Sequence, residues 1–251
     1  MTADESTANG DLVIAERFRG PTRSANGGYT AGLLAALLDG PAQVTLRRPP
    51  PLARRLRVRR SADGAVELLD GKGVIAEAIP ARVGAATPAP VGLAAAEAAS
   101  ARYTGFARHP FPECFVCGPQ RIETGGLRIF PGPLAGREGV ASPWVPEGSL
   151  ADPDGHVRSE FIWAALDCPG AFASGFPAIT IVLGRLAAKI RRPARPGQPY
   201  VVVGWPAGAD GRKRFAVTAL FTPDGELLAA ARATWIALEA PELEALLTSA
   251  E

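Results

Sequence analysis

The chain has 251 residues, 47% of them hydrophobic and 21% charged, with a formal net charge of +2. That length holds one large domain or two units of roughly 100 to 130 residues, each with its own core. The composition excludes pervasive disorder and a strongly basic nucleic-acid-binding surface. No window offers the ~20 consecutive apolar residues that span a bilayer, and the acidic start MTADESTANGD lacks the basic and then apolar order of a secretory leader. A soluble cytoplasmic protein is expected, with no membrane or nucleic-acid partner and with disorder only at its ends. The three cysteines do not make a disulfide framework, and a reducing compartment keeps them as thiols.

The stretch GPTRSANGGYTAGLLAALLDGP predicts the first helix, with a polar start, an apolar interior from Tyr29 to Leu38 and a Gly40-Pro41 stop. Its apolar residues surround the axis, so the helix is expected to be buried on nearly all sides. AQVTLRRP, LRVRRS, AVELLD and GVIAEAIPARV follow as β-prone runs, divided by turns such as Asp63-Gly64 and Asp70-Gly71. A helix followed by hairpins predicts an antiparallel sheet wrapped around that helix. Arg47, Arg48, Arg54, Arg55, Arg57, Arg59 and Arg60 crowd this region; a solvated strand edge is expected, with a phosphate-bearing ligand as the alternative.

Residues 84–104 become Ala-, Gly- and Pro-rich, as a connecting segment does, and AAAEAAS within them is a candidate helix. The boundary is placed near residue 105, which divides the chain into an N-terminal unit with linker, 1–104, and a C-terminal unit, 105–251. The second half then repeats the order of the first: strand-like GLRIFPG and EGVASPWVP, a helix in RSEFIWAALDCPG, and a meander from Ala178 to Leu238. VTLRRPPP at 44–51 is echoed by AKIRRPARP at 188–196, and DGKGVIAEA at 70–78 by DGELLAAARA at 224–233. Two diverged copies of one α+β unit are expected, packed as an internal pseudo-dimer, with further self-association left open.

Asn26-Gly27-Gly28 at a helix start, the Arg-Arg-Pro break and the Asp-Gly hairpins, together with CFVCGP, GGLRIFPG and WAALDCPG, give a pattern that resembles the hotdog-fold acyl-CoA thioesterases. More narrowly, it is similar to their single-chain double-hotdog branch, and the likeness runs over nearly the whole chain. It implies hydrolysis of an acyl thioester on coenzyme A or an acyl-carrier protein, with no cofactor beyond the coenzyme A of the substrate. In many members of that superfamily the helix opens with His-Gly-Gly, and an acid follows eight positions after the first glycine. The resemblance implies that the glycine N–H meets the thioester carbonyl while the acid comes from the other unit's helix.

Neither half of this chain carries the full pattern. In the first, Gly27 and Gly28 are present, but the acid position is Ala35. In the second, the acid is Asp167, but Ser159 and Glu160 stand where the glycines belong. Pairing the halves as family subunits pair would combine Gly27 with Asp167 in one competent site and Ser159 with Ala35 in a dead one.

Each candidate residue suits that chemistry. Free N–H groups at a helix start favour the negative charge that forms on an attacked carbonyl, and glycine permits close approach, so Gly27 and Gly28 are candidate oxyanion donors. Asp167 stands in an otherwise apolar helix, where burial raises a carboxyl pKa as a general base requires; attack as a nucleophile is the alternative. Asn26 takes the place of the usual His as helix cap and candidate substrate contact. Glu160, seven residues before Asp167 on the same helix face, is a candidate polar contact, and Tyr29 and Trp163 are candidate pocket walls.

His109, Cys114 and Cys117 in HPFPECFVCGP have spacing that suits thiolate ligation of zinc, but a closed site needs a fourth ligand. Spacing recruits neither Cys168 nor His156 for it, so a packed turn near the ligand tunnel is expected instead, with no metal. Two other functions compete with hydrolysis: non-catalytic acyl-CoA or lipid binding on a degenerate scaffold, and dehydratase or hydratase chemistry on the same fold.

Overall fold

The computed structural model describes residues 10–71, 73–84, 87, 89–121 and 125–248. The disorder expected at the N-terminus falls on residues 1–9, outside the described residues. Apolar residues all round the first helix dictate burial, and α1 (Gly27–Ala35) accordingly buries seven residues, including Tyr29, Leu34 and both Gly28 and Gly32. Strands β1 (Asp11–Val13), β2 (Ala42–Leu46), β3 (Arg55–Arg60), β4 (Val66–Asp70) and β5 (Gly73–Pro80) surround it. The four β-prone runs after α1 thus form strands where their alternation and Gly turns predicted. β1 carries too short a pattern to be seen in the sequence.

The second half contributes β6 (Gly132–Pro133), β7 (Val140–Trp144), β8 (Ile181–Ile190), β9 (Tyr200–Asp210), β10 (Lys213–Phe221) and β11 (Leu227–Ala237). All eleven strands form one antiparallel sheet in the order β1-β3-β4-β5-β2-β8-β11-β10-β9-β7-β6. Each half therefore occupies a contiguous block. The blocks join where β2 pairs with β8, at Ala42↔Ala188 and Val44↔Leu186, all four side chains buried.

The echoed Arg-Arg phrases have one structural cause. The N–H groups of Arg47 and Arg48 both donate to the Ile75 carbonyl, and those of Arg191 and Arg192 both donate to the Leu228 carbonyl. Each pair ends a strand in the same bulged hydrogen-bond pattern, one per unit. The arginines of β3, one strand in from the sheet edge, are solvent-exposed, with Arg55 paired to Asp11 at 2.9 Å and Arg59 to Glu67.

Three local expectations change. RSEFIWAALDCPG is not one helix but two, α3 (Ser159–Ala165) and α4 (Cys168–Ala173), with Asp167 at the junction in a φ −78°, ψ −78° conformation. Pro169 is the reason, because inside a continuous helix its ring would strike the Ala165 carbonyl. GLRIFPG contributes only Gly132 to a strand, since the N–H groups of Leu127, Ile129 and Phe130 go to the Phe115 carbonyl, the Val116 carbonyl and the Ser142 hydroxyl. The candidate linker helix is real, as α2 (Leu93–Ser100), but it packs on β6, β7 and β9 of the second half. Its buried Ala96 and Ala99 meet Ala141, Val201 and Val203 in a small cluster separate from the main core.

Candidate active site

The site is built where α1 and α3 cross. A Cβ added to Gly28 would lie 2.4 Å from the Asp167 Cβ, and one added to Gly32 would lie 2.5 Å from the Glu160 Cα. The two helices therefore run antiparallel in backbone contact, which only glycine allows. The start of α1 is thereby laid against the end of α3, where Asp167 stands.

Asn26 caps α1 from extended backbone, its Oδ1 accepting the Tyr29 N–H at 2.8 Å. That bond orients the rest of the amide, and Nδ2 donates to Asp167 Oδ2 at 2.9 Å. The Gly28 N–H donates to the same oxygen, also at 2.9 Å. Asp167 is 2% exposed, and its other oxygen, Oδ1, has no hydrogen-bond partner among the described residues. Burial pushes the Asp167 carboxyl up to about 7, against the lowering influence of the Gly28 and Asn26 donors.

The carboxyl lies on a cavity of about 1120 Å³ that takes Asn26, Gly27, Arg47 and Arg48 from the first half and His109, Asp167, Cys168 and Trp235 from the second. Leu46, Phe111, Phe172, Phe176 and Leu183 supply apolar wall. A smaller cavity of about 500 Å³ sits at the equivalent place of the other unit, lined by Ser159, Glu160, Arg191 and Arg192. Asp167 borders only the larger one.

The sequence-predicted residues divide accordingly. Asn26, Gly27 and Asp167 come together on the large cavity. Gly28 lies behind Asp167 with its N–H already donated to the carboxylate, so it holds the acid and is not an open oxyanion donor. Tyr29 is fully buried, stacked on Phe18 at 4.0 Å between centroids and beside Phe115 and Phe161, in the aromatic core and off the cavity wall. Trp163 is likewise buried against Gly32, and Glu160 borders the small cavity, 3.2 Å from Arg158 Nε. Both departures follow from the helix crossing, which turns these side chains toward α1 or to the opposite end of the site.

Two features went unrecognised, a cavity-lining tryptophan and the joining of Cys168 to the two cysteines already singled out. Trp235, from β11, lines the large cavity with an Nε1–H that is buried and has no partner among the described residues. The other concerns a set of thiols. Cys114, Cys117 and Cys168 are all buried and reduced, and their Sγ atoms lie within 4.8 Å of one another. The Asn26 amide reaches Cys114 Sγ at 3.9 Å, and His109 Nε2 is 3.3 Å from Cys117 Sγ. Burial lowers the His109 pKa, favouring its neutral form. The Cys-x-x-Cys spacing signalled two of the three thiols, whereas Cys168 joins only through the α3–α4 break.

A helix in each half, laid on a shared antiparallel sheet and packed antiparallel against its counterpart, defines the double-hotdog class of α+β proteins. Solved structures agree with that assignment. The chain matches the tesB protein of Mycobacterium avium subspecies paratuberculosis with a TM-score of 0.58 at 14% identity, covering 94% of this chain and 95% of that one. It matches acyl-CoA thioesterase II of Mycobacterium marinum with a TM-score of 0.60 at 15% identity, covering 95% and 96%. A hotdog-fold protein of unknown function from Alicyclobacillus acidocaldarius matches with a TM-score of 0.56 at 12% identity, covering 93% and 95%. No protein-family model matches the chain, and no curated protein matches its sequence.

Proposed function

We propose that the chain hydrolyses an acyl thioester, carried on coenzyme A or an acyl-carrier protein, at one composite site between its two units. The observation that carries this reading is Asp167: a buried carboxylate from the second unit that borders the large cavity, pinned through Oδ2 by Gly28 and Asn26 of the first, with Oδ1 buried and without a hydrogen-bond partner among the described residues. A buried carboxylate oxygen without a partner is costly unless it has work in a ligand-bound state. The two solved neighbours named as a tesB protein and as acyl-CoA thioesterase II support the same chemistry.

Asp167 Oδ1 takes a proton from a water, which attacks the thioester carbonyl carbon. Negative charge then forms on the carbonyl oxygen. The Gly27 N–H, in the first turn of α1 where no intrahelical carbonyl receives it, meets that charge, and the positive end of the helix dipole adds to the stabilisation. Collapse of the tetrahedral intermediate breaks the C–S bond, the proton taken up by Asp167 passes to the leaving sulfur, and a carboxylic acid and the thiol are released with Asp167 ionised again. Gly28 and Asn26 act by positioning the acid, and Arg47 and Arg48 at the cavity border suit a phosphate-bearing carrier. A cytoplasmic location, which keeps such thiols reduced, goes with this reading.

Release of free thiol from a panel of acyl-CoA and acyl-carrier-protein substrates tests this. Asp167→Asn keeps the shape and the Oδ acceptor but removes the base, so turnover should fall by about 10²- to 10⁴-fold with the fold intact. Undiminished turnover in that variant would remove Asp167 from the mechanism. Single-turnover hydrolysis in ¹⁸O-water separates base from nucleophile: a base leaves the Asp167 carboxylate unlabelled, and direct attack leaves ¹⁸O in it.

A further inference from the structure

The thiol cluster beside Asp167 takes no part in that mechanism. Cys114 and Cys117 sit on a tight turn whose Gly118 N–H donates to the Cys114 carbonyl at 2.9 Å. A Cβ at Gly118 would lie 2.5 Å from the Cys114 nitrogen, so the turn closes this tightly only with glycine. Phe115 N–H, bonded to the Arg19 carbonyl, and Tyr103 O–H, bonded to the Cys117 carbonyl, anchor it to the body of the protein. Cys168 arrives from 51 residues further on, at the first position of α4.

We infer that Cys114, Cys117 and Cys168 form a three-thiolate site for a soft divalent cation, zinc above all, opening on the substrate cavity. Around zinc, Zn–S bonds of about 2.3 Å in a tetrahedron place the sulfurs about 3.8 Å apart. Cys114 Sγ and Cys168 Sγ are 3.8 Å apart, and the third sulfur lies within 4.8 Å of both. Binding replaces three S–H bonds with three Zn–S bonds and releases the three protons to solvent, leaving a site of net charge −1. Two N–H groups are already directed at the sulfurs that would carry that charge, Asn26 Nδ2 at Cys114 and His109 Nε2 at Cys117. Such outer donors are what tunes and orients a thiolate site.

His109 is a donor to the cluster and not its fourth ligand. Its Nδ1 accepts the Phe111 N–H at 2.9 Å, so the neutral ring carries its proton on Nε2, the atom facing Cys117. Three protein ligands leave one tetrahedral position, and all three cysteines line the cavity. An incomplete set of this kind characterises zinc sites that bind water or substrate, as opposed to closed structural ones. The expectation of a metal-free packed turn rested on a missing fourth ligand, which an open site does not require.

The inference does not depend on thioester hydrolysis, and its test reads metal and not turnover. Protein expressed with added zinc and purified under reducing conditions should carry about one zinc ion per chain by elemental analysis. Cys114→Ser and Cys168→Ser should each lose most of that metal while keeping the wild-type far-ultraviolet circular dichroism. Because a buried Cys→Ser change can itself unfold a protein, the unaltered chain loaded with Co²⁺ gives a second measurement. A near-ultraviolet sulfur-to-cobalt charge-transfer band with the visible bands of tetrahedral Co²⁺ supports the site. Zinc at background, with all three thiols titrating freely and no such band, overturns it.

Discussion

At the residue scale, the site depends on two adjacent glycines doing different work. Gly28 faces protein: a Cβ there would lie 2.4 Å from the Asp167 Cβ and 2.8 Å from the Trp163 carbonyl oxygen, a backbone atom that cannot swing aside. Gly28→Ala should therefore destabilise the chain by ~1–3 kcal/mol in urea unfolding and displace the carboxylate, with turnover largely lost. Gly27 lines the cavity, and a Cβ there meets the ends of Leu183 and Leu46 at 2.9 and 3.0 Å and the Leu183 Cβ at 3.0 Å. The ends can swing aside, and the one fixed atom lies farther off than the Asp167 Cβ and Trp163 oxygen that a Cβ at Gly28 would strike. Gly27→Ala should cost less than Gly28→Ala in stability, and its main effect should be a higher KM for thioester substrates. Equal stability losses in the two variants would contradict this division.

At the scale of elements, the break between α3 and α4 is what makes Asp167 and Cys168 available. Pro169 forbids a continuous helix, so the chain turns at Asp167 with its carboxylate toward the start of α1. Pro169→Ala removes that prohibition. It should keep the overall fold by circular dichroism yet lower kcat more than tenfold, because Asp167 is no longer held to one position. The docking of α2 rests on another close approach, since a Cβ at Gly132 would lie 1.8 Å from the Ala99 carbonyl oxygen. Gly132→Ala must lift α2 off the sheet, and urea unfolding should show a loss of ~1–3 kcal/mol with kcat unchanged. α2 packs on the outer face of the second block, apart from the main core, so activity should not follow stability there.

For the whole molecule, the two blocks share one sheet and one main core that runs from Leu12 to Trp235. Leu186, fully buried on β8, pairs with Val44 across the joint. Unfolding in urea should accordingly be a single transition, with tryptophan fluorescence from the second half and amide exchange in β3, β4 and β5 giving the same midpoint. Two separated midpoints would make the halves independent. Leu186→Ala should lower stability by ~2–5 kcal/mol for both probes alike.

The sequence by itself determined the double-hotdog fold and most of the strands, and it carried the expectation of an asymmetric site. Hydrophobic periodicity, Gly and Pro breaks and the Arg-Arg echoes are short patterns that can be read directly along the chain. The complementary loss, with glycines in one half and acid in the other, was also legible, because it needs only alignment of the two copies. Only the tertiary structure decided which groups meet. Gly28 turned from carbonyl donor to carboxylate holder, Tyr29 and Trp163 went to the core, and Glu160 went to the opposite cavity. Cys168 joined Cys114 and Cys117, and Trp235 reached the wall from the last strand. The physical reason is common to all of these. They depend on the antiparallel crossing of α1 and α3 and on the proline-induced turn between α3 and α4, and contacts between segments far apart in the chain leave no period or spacing in the sequence.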